Sequence, residues 1–219
     1  MFSTFAAALS ILGTVLLSRS WDGDPPTVID WKIDNLDRIG GHGITVLGHP
    51  QVISTNAGPA LLFDGKDDAV IMPTNPIAGA RAFTVEIVFR PDPDGPAEQR
   101  FLHMQSTETR RLLIETRVRG NDWFLDTFLK YDESDRTLQE TEKLHPVGDW
   151  YHAALVYDGR EMHHYVNGVH EISGAVAFSP LESGQTSIGC RLNRVFWFKG
   201  AIRRIRVTHA ALRPEEFLK

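Results

Sequence analysis

Few of the signatures that assign a function directly occur in this sequence. Cys190 is its only cysteine, so a disulfide within the chain and a cysteine metal cluster are both excluded. The formal net charge is -5, from 28 acidic and 23 basic residues, and this balance gives no overall positive field for a polyanion. We therefore expect no nucleic-acid partner.

Motifs of several enzyme classes are also missing. The sequence has no Gly-x-Ser-x-Gly elbow and no Gly-rich phosphate loop, and no base for the thiol of Cys190 is evident. The pair His163-His164 is a poor metal chelator on a strand, because adjacent strand residues point to opposite faces. The apolar content of 42% and the charged content of 23% are those of a folded globular protein. The 219 residues fit one large β-sandwich.

What is abundant is strand-forming sequence. Residues 150–157, 162–166 and 169–172 are β-branched and aromatic runs, separated by Asp158-Gly159 and Asn167-Gly168, and these turns predict two linked β-hairpins. Residues 82–89 alternate strictly, so their apolar side chains share one face. Residues 28–33 predict a first strand, and residues 61–63 and 69–71 are expected to pair as a hairpin around the acidic turn between them.

Short segments along the chain resemble laminin G-like domains, which belong to the concanavalin A-like superfamily. They include LLFDG at 61–65, FTVE at 83–86, WYHA at 150–153, YDG at 157–159, YVNG at 165–168 and FKG at 198–200. The resemblance implies an all-β, antiparallel two-sheet jelly-roll sandwich, here at residues 27–219. It also implies a glycan or a protein as binding partner, although this fold hosts enzymes, lectins and adhesion modules alike.

Two alternating segments predict a polar face on this sandwich. In residues 112–119 the side chains of Glu115, Arg117 and Arg119 point away from the apolar set, and in residues 101–105 His103 and Gln105 share a face with Phe101. If the two strands are neighbours, these polar side chains form one patch. The resemblance places long glycan chains on such a sheet. Ligand-binding candidates are Glu115, Arg119 and Trp123.

A catalytic interpretation of the same face is the alternative. Polysaccharide lyases on this fold use a histidine or tyrosine base with glutamine and arginine, which neutralise a uronate carboxylate. His103, Gln105 and Arg117 are residues of those types. However, the lyases also carry a tyrosine and a lysine on a later strand, and this sequence has no counterpart of them at the right spacing. The glucanase pattern Glu-x-Asp-x-x-Glu is also missing. The competing interpretation is that Glu115 pairs with Arg117 or a neighbouring arginine across an exposed sheet, a pair that contributes about 0 to 1 kcal/mol.

Asp64, Asp67 and Asp68 form an acidic turn. Their carboxylates are hard oxygen ligands of the kind that calcium prefers, and some members of the superfamily that the chain resembles bind calcium. Ordinary turn chemistry explains the same residues, because aspartate side chains accept hydrogen bonds from the backbone of a turn. Calcium is therefore a weak expectation, and no other cofactor is predicted.

Residues 2–18 form an apolar run without charge, followed by Arg19 and Trp21. As a membrane helix the run has about the minimum length, and Trp21 is placed as an interfacial anchor. As a signal peptide it lacks a basic start, and the best cleavage site, Ser18-Arg19-Ser20, contains an arginine. We expect residues 1–20 to form an apolar helix that stays attached, with an uncleaved signal or a helix packed on the domain or a partner as alternatives. Residues 21–26 are predicted to be a linker.

These observations favour an extracytoplasmic laminin G-like interaction domain, either periplasmic or at the cell surface, tethered to a membrane through residues 2–18, with a secreted domain as the alternative. Its expected partner is a glycan or a protein, and it would serve as an accessory subunit of a membrane complex. The extracytoplasmic location is implied by the family resemblance. The alternative is a carbohydrate-active enzyme, a polysaccharide lyase acting on a uronate polymer.

Overall fold

The computed structural model describes residues 25–219. The predicted N-terminal helix lies outside these residues. Within residues 25–219 no helix combines the length and the apolar character that crossing a membrane requires.

The described chain is a sandwich of two eight-stranded antiparallel sheets. The strands of the first sheet are β1 (Val28–Lys32), β5 (Gln51–Thr55), β6 (Gly58–Asp64), β8 (Phe83–Pro91), β14 (Tyr151–Tyr157), β15 (Glu161–Val166), β16 (Val169–Ala175) and β18 (Lys199–Thr208). They are ordered β16-β15-β14-β8-β18-β6-β5, and β1 pairs with the second half of β18.

The strands of the second sheet are β4 (Thr45–Leu47), β7 (Ala69–Met72), β9 (Glu98–Thr107), β10 (Arg110–Arg119), β11 (Asp122–Tyr131), β12 (Ser134–Gln139), β13 (His145–Pro146) and β17 (Gln185–Ile188). Their order is β12-β11-β10-β9-β17-β7-β4, with β13 beside β11. A small hairpin joins β2 (Arg38–Ile39) to β3 (His42–Gly43), and a 3-10 turn spans Pro214–Glu216. The all-β, two-sheet antiparallel prediction is confirmed.

The hydrophobic core lies between the sheets and follows from alternation. Phe83, Val85, Ile87 and Phe89 of β8 are all fully buried in it, so the predicted face of this strand is the core face. The two linked hairpins predicted for residues 150–172 are present as β14, β15 and β16. Asn167 and Gly168 both have positive φ, 50° and 77°, which matches the type I′ geometry that an Asn-Gly turn adopts.

Two local predictions are wrong. Residues 61–63 and 69–71 do not pair with each other: β6 belongs to the first sheet and β7 to the second, so the acidic turn between them crosses from one sheet to the other. Phe101 was expected beside His103 on the polar face, but it lies in the core with Leu102. The register between β9 and β10 shifts at this point, and such a bulge breaks the alternation of side chains between the two faces.

Candidate functional site

The predicted polar residues of β9 and β10 lie on the outer face of the second sheet. The two strands are antiparallel neighbours, with Leu113 opposite His103 and Arg111 opposite Gln105. Leu112 and Ile114 are buried in the core, so residues 111, 113, 115 and 117 point outward. On the other side of β10, Glu115 lies directly opposite Asp126 of β11. The sheet therefore brings polar side chains from three adjacent strands together.

These side chains enclose a cavity of about 180 Å³ on the outer face, which we call the arginine pocket. Its lining residues are Arg100, Arg111, Leu113, Glu115, Arg117, Asp126, Phe128, Thr137 and Arg191. Pockets for drug-sized ligands have roughly 300 to 1,000 Å³, so this pocket suits a smaller group such as one sugar unit.

Arg117 holds the carboxylates of the pocket together. Its Nε lies 2.7 Å from Asp126 Oδ2 and its Nη1 lies 2.6 Å from Glu98 Oε2. Gln139 of β12 donates a second hydrogen bond of 2.7 Å to the same Asp126 oxygen. Asp126 is only 1% exposed, and its Oδ1 has no hydrogen-bond partner among residues 25–219. A buried acceptor of this kind is available to a ligand hydroxyl.

Glu115 is almost fully buried beside Asp126, and its nearest cation is Arg100, whose Nε lies 2.9 Å from Glu115 Oε2. Burial, followed by the negative charge of Asp126, raises the pKa of Glu115 to about 7 despite the opposing effect of Arg100 and Arg117. Near neutral pH this carboxyl group therefore exists in both protonation states, and it can donate or accept a hydrogen bond.

Arg111 and Arg191 are less well neutralised. In the part of the chain from 25 to 219, Arg111 has no carboxylate within ion-pair distance, and its guanidinium carbon lies 5.3 Å from the centre of the Phe128 ring. Arg191 has only a distant pair, with Nη2 3.9 Å from Glu108 Oε2. The Nε atoms of both arginines are buried without a hydrogen-bond partner among the described residues. Burial and then the charge of Arg191 lower the pKa of Arg111.

His103 lies beneath the loop of residues 189–198, which connects β17 to β18. It is 1% exposed, and its Nδ1 accepts a hydrogen bond of 3.0 Å from the backbone N–H of Leu192. Burial and the charges of three nearby arginines, first Arg191, lower the pKa of His103 to about 3. The imidazole is therefore neutral across the physiological pH range.

The loop of residues 189–198 begins at Gly189 with φ of +97°, and a Cβ there would lie 2.7 Å from the ring of Phe63. Glycine is thus required where the loop leaves β17. Arg194 and Phe196 also have positive φ, 61° and 59°. Phe196 is partly exposed, and the guanidinium of Arg100 stacks on its ring at 3.6 Å. The loop therefore adds Arg191 and an accessible aromatic ring to one side of the arginine pocket.

Three other predicted residues lie outside the pocket lining. Gln105 donates a hydrogen bond of 3.3 Å to Glu108 at the end of β9. Arg119 is exposed, and its guanidinium lies 5.6 Å from the ring of Phe124. Trp123 is fully buried in the core, where it packs on Phe89. Of the predicted site residues, only Glu115 and Arg117 line the pocket together.

The acidic turn brings one carboxylate oxygen each of Asp64, Asp67 and Asp68 within 4.8 Å of one another. Backbone groups already use several of these oxygens. Asp68 accepts hydrogen bonds from the N–H groups of His49 and Asp64, and Asp64 Oδ1 accepts from Lys66 and Asp67. Turn chemistry accounts for these contacts, and calcium binding stays a prediction.

A second cavity, of about 320 Å³, lies on the outer face of the first sheet beside the C-terminal residues. Its arginines are largely paired. Arg204 forms two contacts with the carboxylate of Asp30, at 2.9 and 2.5 Å, and Arg203 Nη1 donates to the carbonyl oxygen of Ala57 at 3.1 Å. This cavity offers a ligand fewer unsatisfied groups than the arginine pocket does.

Reasoning from sequence missed Asp126, Phe128, Arg111 and Arg191. The alternation of β11 carries a signal for the first two, because Phe124, Asp126 and Phe128 share the face opposite Trp123 and Leu125. Arg191 has no such signal, since it lies on an irregular loop that only the folded chain places over β9 and β10.

Comparison with known proteins agrees with the two-sheet fold. A laminin G family model, described as "Concanavalin A-like lectin/glucanases superfamily", matches residues 64–217. No curated protein sequence matches the chain significantly.

Among solved structures, domain 4 of AbnA, a GH43 extracellular arabinanase from Geobacillus stearothermophilus in complex with arabinotriose, has a TM-score of 0.66 at 19% identity, over 88% of this chain and 97% of that domain. The binding domain of botulinum neurotoxin DC is similar in its complex with SialylT (TM-score 0.61, 14% identity, 86% of this chain and 49% of that one). The same binding domain with rat synaptotagmin II gives a TM-score of 0.60 at 13% identity, over 86% and 49% of the two chains. At these identities the likeness establishes the fold alone.

Proposed function

The chain belongs to the concanavalin A-like lectin/glucanase superfamily as a laminin G-like protein, and we propose that it is a non-catalytic glycan-binding module whose site is the arginine pocket. The observation that carries this proposal is the composition of the pocket. It combines an aromatic ring, Phe128, with a buried acceptor lacking a partner, Asp126 Oδ1, and buried arginine donors. A sugar has an apolar ring face and hydroxyl groups, and it matches both kinds of surface.

The solved relatives give this proposal a further reason. The arabinanase domain that shares this fold was solved with arabinotriose, and the chain covers nearly all of that domain. The related toxin domain was also solved with a protein, synaptotagmin II. A protein partner is therefore the second binding class, and a role as an accessory subunit of a membrane complex would require it.

A glycan array with the full chain tests the proposal, followed by calorimetric titration of each glycan that binds. Phe128→Leu is expected to weaken binding by about fivefold, because ring stacking contributes roughly 1 kcal/mol. Phe124→Leu is the matched control, since Phe124 lies on the same strand and face but outside the pocket lining. Binding of no glycan, or equal binding by both variants, would overturn the proposal.

A lyase is the second candidate, through His103, Gln105 and Arg117. The electrostatics favour binding over this chemistry, because a histidine with a pKa near 3 whose Nδ1 already accepts a hydrogen bond is a weak general base near neutral pH. Incubation with uronate polymers, monitored by ultraviolet absorbance of the unsaturated product, tests it. Absorbance that grows with the wild type and not with His103→Ala would replace the binding proposal.

We also propose that residues 2–18 tether the module on the extracytoplasmic side of a membrane, as an attached apolar helix. Their length and lack of charge support this. Fractionation of cells with an alkaline wash, combined with protease treatment of intact cells, tests both parts. The chain should stay with the membrane and be cleaved from outside. Release of the chain by the wash would contradict the tether. Protection of the chain from the protease would contradict the extracytoplasmic location.

A further inference from the structure

The arginine pocket carries more positive charge than its own carboxylates neutralise. Four arginines line it, and the acids close to them are Glu98, Glu115 and Asp126. Arg117 contacts Asp126 and Glu98, and Arg100 contacts Glu115. Among residues 25–219, Arg111 has no acid within ion-pair distance, and Arg191 has only the exposed Glu108 at 3.9 Å. A neutral sugar would leave both cations without a close anion.

Two partly buried arginines that lack a close acid among residues 25–219 raise the free energy of the unliganded protein by their mutual repulsion. The lowered pKa of Arg111, caused by burial and then by Arg191, expresses the same repulsion. The buried Nε atoms of Arg111 and Arg191 have no acceptor among residues 25–219. Guanidinium groups bind carboxylates with two parallel hydrogen bonds, and an anion placed between them would remove the repulsion and satisfy both donors.

We propose that the arginine pocket selects a sugar bearing a carboxylate, with the carboxylate between Arg111 and Arg191 and the sugar ring against Phe128. This inference rests on the proposed glycan-binding function and names its ligand class, an acidic glycan built from uronate units. Asp126 Oδ1 accepts a hydroxyl hydrogen bond from the same sugar. The guanidinium carbon of Arg111 lies 5.3 Å from the centre of the Phe128 ring, so the carboxylate and ring contacts are adjacent, as they are within one uronate.

Matched pairs of ligands isolate the carboxylate. Trisaccharides of galacturonate, glucuronate and mannuronate are titrated into the full chain, each as the acid and as its methyl ester, which keeps the ring and its hydroxyl groups but removes the charge. Arabinotriose serves as the neutral probe. At least one acid should bind ten to a hundred times more tightly than its ester, and its affinity should fall with added salt because the interaction is ionic.

Variants of the pocket arginines test which residues cause the preference for the acid over the ester. Arg111→Gln and Arg191→Gln should each abolish most of the acid-over-ester preference, while Arg119→Gln, on the same strand as Arg111 but outside the pocket, should retain it. Arg111→Lys keeps the charge and loses the fork of donors, so it should retain part of the preference. Thermal unfolding checks that each variant is folded. If a variant is not folded, the comparison of each acid with its ester on the wild-type protein decides.

The outcomes separate the two proposals. If an ester or arabinotriose binds as tightly as the acids, and Phe128→Leu weakens that binding, acid selection is overturned. The proposal of glycan binding then stands. A preference for the acid that survives both glutamine variants would also overturn the assigned site. Failure of every acidic and neutral probe to bind would overturn glycan binding itself.

Discussion

At the scale of single residues, Glu115 dominates the electrostatics of the site. Its pKa of about 7 lies above its ordinary value of 4.5, so the folded protein holds this proton more tightly than the unfolded chain does. The stabilising effect is complete below pH 4.5 and is lost as the pH rises through about 7. Burial is the largest cause of the raised pKa of Glu115 and the charge of Asp126 adds to it, whereas Arg100 and Arg117 favour ionisation.

Glu115→Gln should therefore flatten the dependence of stability on pH. Between pH 5 and pH 8 the wild type should lose roughly 3 kcal/mol of its free energy of unfolding through this group, at about 1.4 kcal/mol for each unit of pKa difference. The variant has no proton to lose in this range. Urea denaturation at several pH values measures the difference, and parallel curves for the two proteins would contradict the account of Glu115.

The sequence predicts these residue positions only in part. Glu115 and Arg117 share a face because β10 alternates strictly, and this much follows from the pattern. The burial of His103 depends on a backbone hydrogen bond from Leu192, 89 positions away. Trp123 looked like a sugar-stacking residue, but alternation within β11 turns it into the core. Phe128, on the opposite face of that strand, lines the pocket instead.

At the scale of elements, the loop of residues 189–198 is joined to β9 by backbone hydrogen bonds at Gly189 and Phe196 and, between them, by the Leu192–His103 hydrogen bond. His103→Leu removes the acceptor and should loosen the loop, so that trypsin cleaves after Arg191 or Arg194 several-fold faster. His103→Asn is the control, because its side-chain oxygen can take the place of Nδ1. Equal cleavage of the two variants would mean that this hydrogen bond does not anchor the loop.

The C-terminal residues form the second such element. They cover the outer face of the first sheet, where Phe217 packs against Ala154, Val156 and Tyr165. Beneath them the buried carboxylate of Glu86 contacts His152 and Arg206 and accepts the backbone N–H of Leu218. This cover lies on the sheet opposite the arginine pocket.

Phe217→Ala should lower the free energy of unfolding by about 3 kcal/mol, the usual loss for a buried phenylalanine. Glycan affinity should stay unchanged, because the residue contacts the other sheet. Denaturation and titration of the same preparation measure both quantities. A large loss of affinity in protein that is still folded would contradict the separation of the two faces.

At the scale of the whole molecule, a buried polar cluster joins the two sheets. Glu171 of β16 lies 2.8 Å from His145 Nε2 and 3.5 Å from His164 Nε2, and His164 Nδ1 contacts the hydroxyl group of Thr127 in β11 at 3.1 Å. His145 and Thr127 belong to the second sheet, and His164 and Glu171 to the first. Burial opposes ionisation of Glu171, but hydrogen bonds from His145 and His164 lower its pKa overall.

A carboxyl group whose folded pKa is lowered stabilises the protein above its ordinary pKa of 4.5, and this contribution is lost as the pH falls through the folded value. Glu171→Gln should therefore be less stable than the wild type at pH 7, and the gap should narrow as the pH falls from 4.5 towards 3. Acid titration followed by tryptophan fluorescence measures this. A constant gap across that range would show that Glu171 does not join the sheets electrostatically.

The two-sheet architecture was predictable because its signals are local. The Asn-Gly turn and the alternation of β8 and β10 specify strands and buried faces from neighbouring residues. The pairing partner of each strand was harder to predict, since β6 and β7 adjoin in sequence but lie in different sheets. Asp68, in the turn between them, accepts hydrogen bonds from the backbone of His49 and Asp64. The pocket combines three strands and a distant loop, so its full residue set followed only from the fold.

The central claim is that a sugar occupies the arginine pocket on the second sheet. A crystal structure of the full chain with its tightest-binding oligosaccharide tests this most directly. The account predicts a sugar ring stacked on Phe128, a hydroxyl group within hydrogen-bond distance of Asp126 Oδ1, and a carboxylate between Arg111 and Arg191. A sugar bound instead in the cavity beside Arg203 on the first sheet, or elsewhere on the surface, would contradict it.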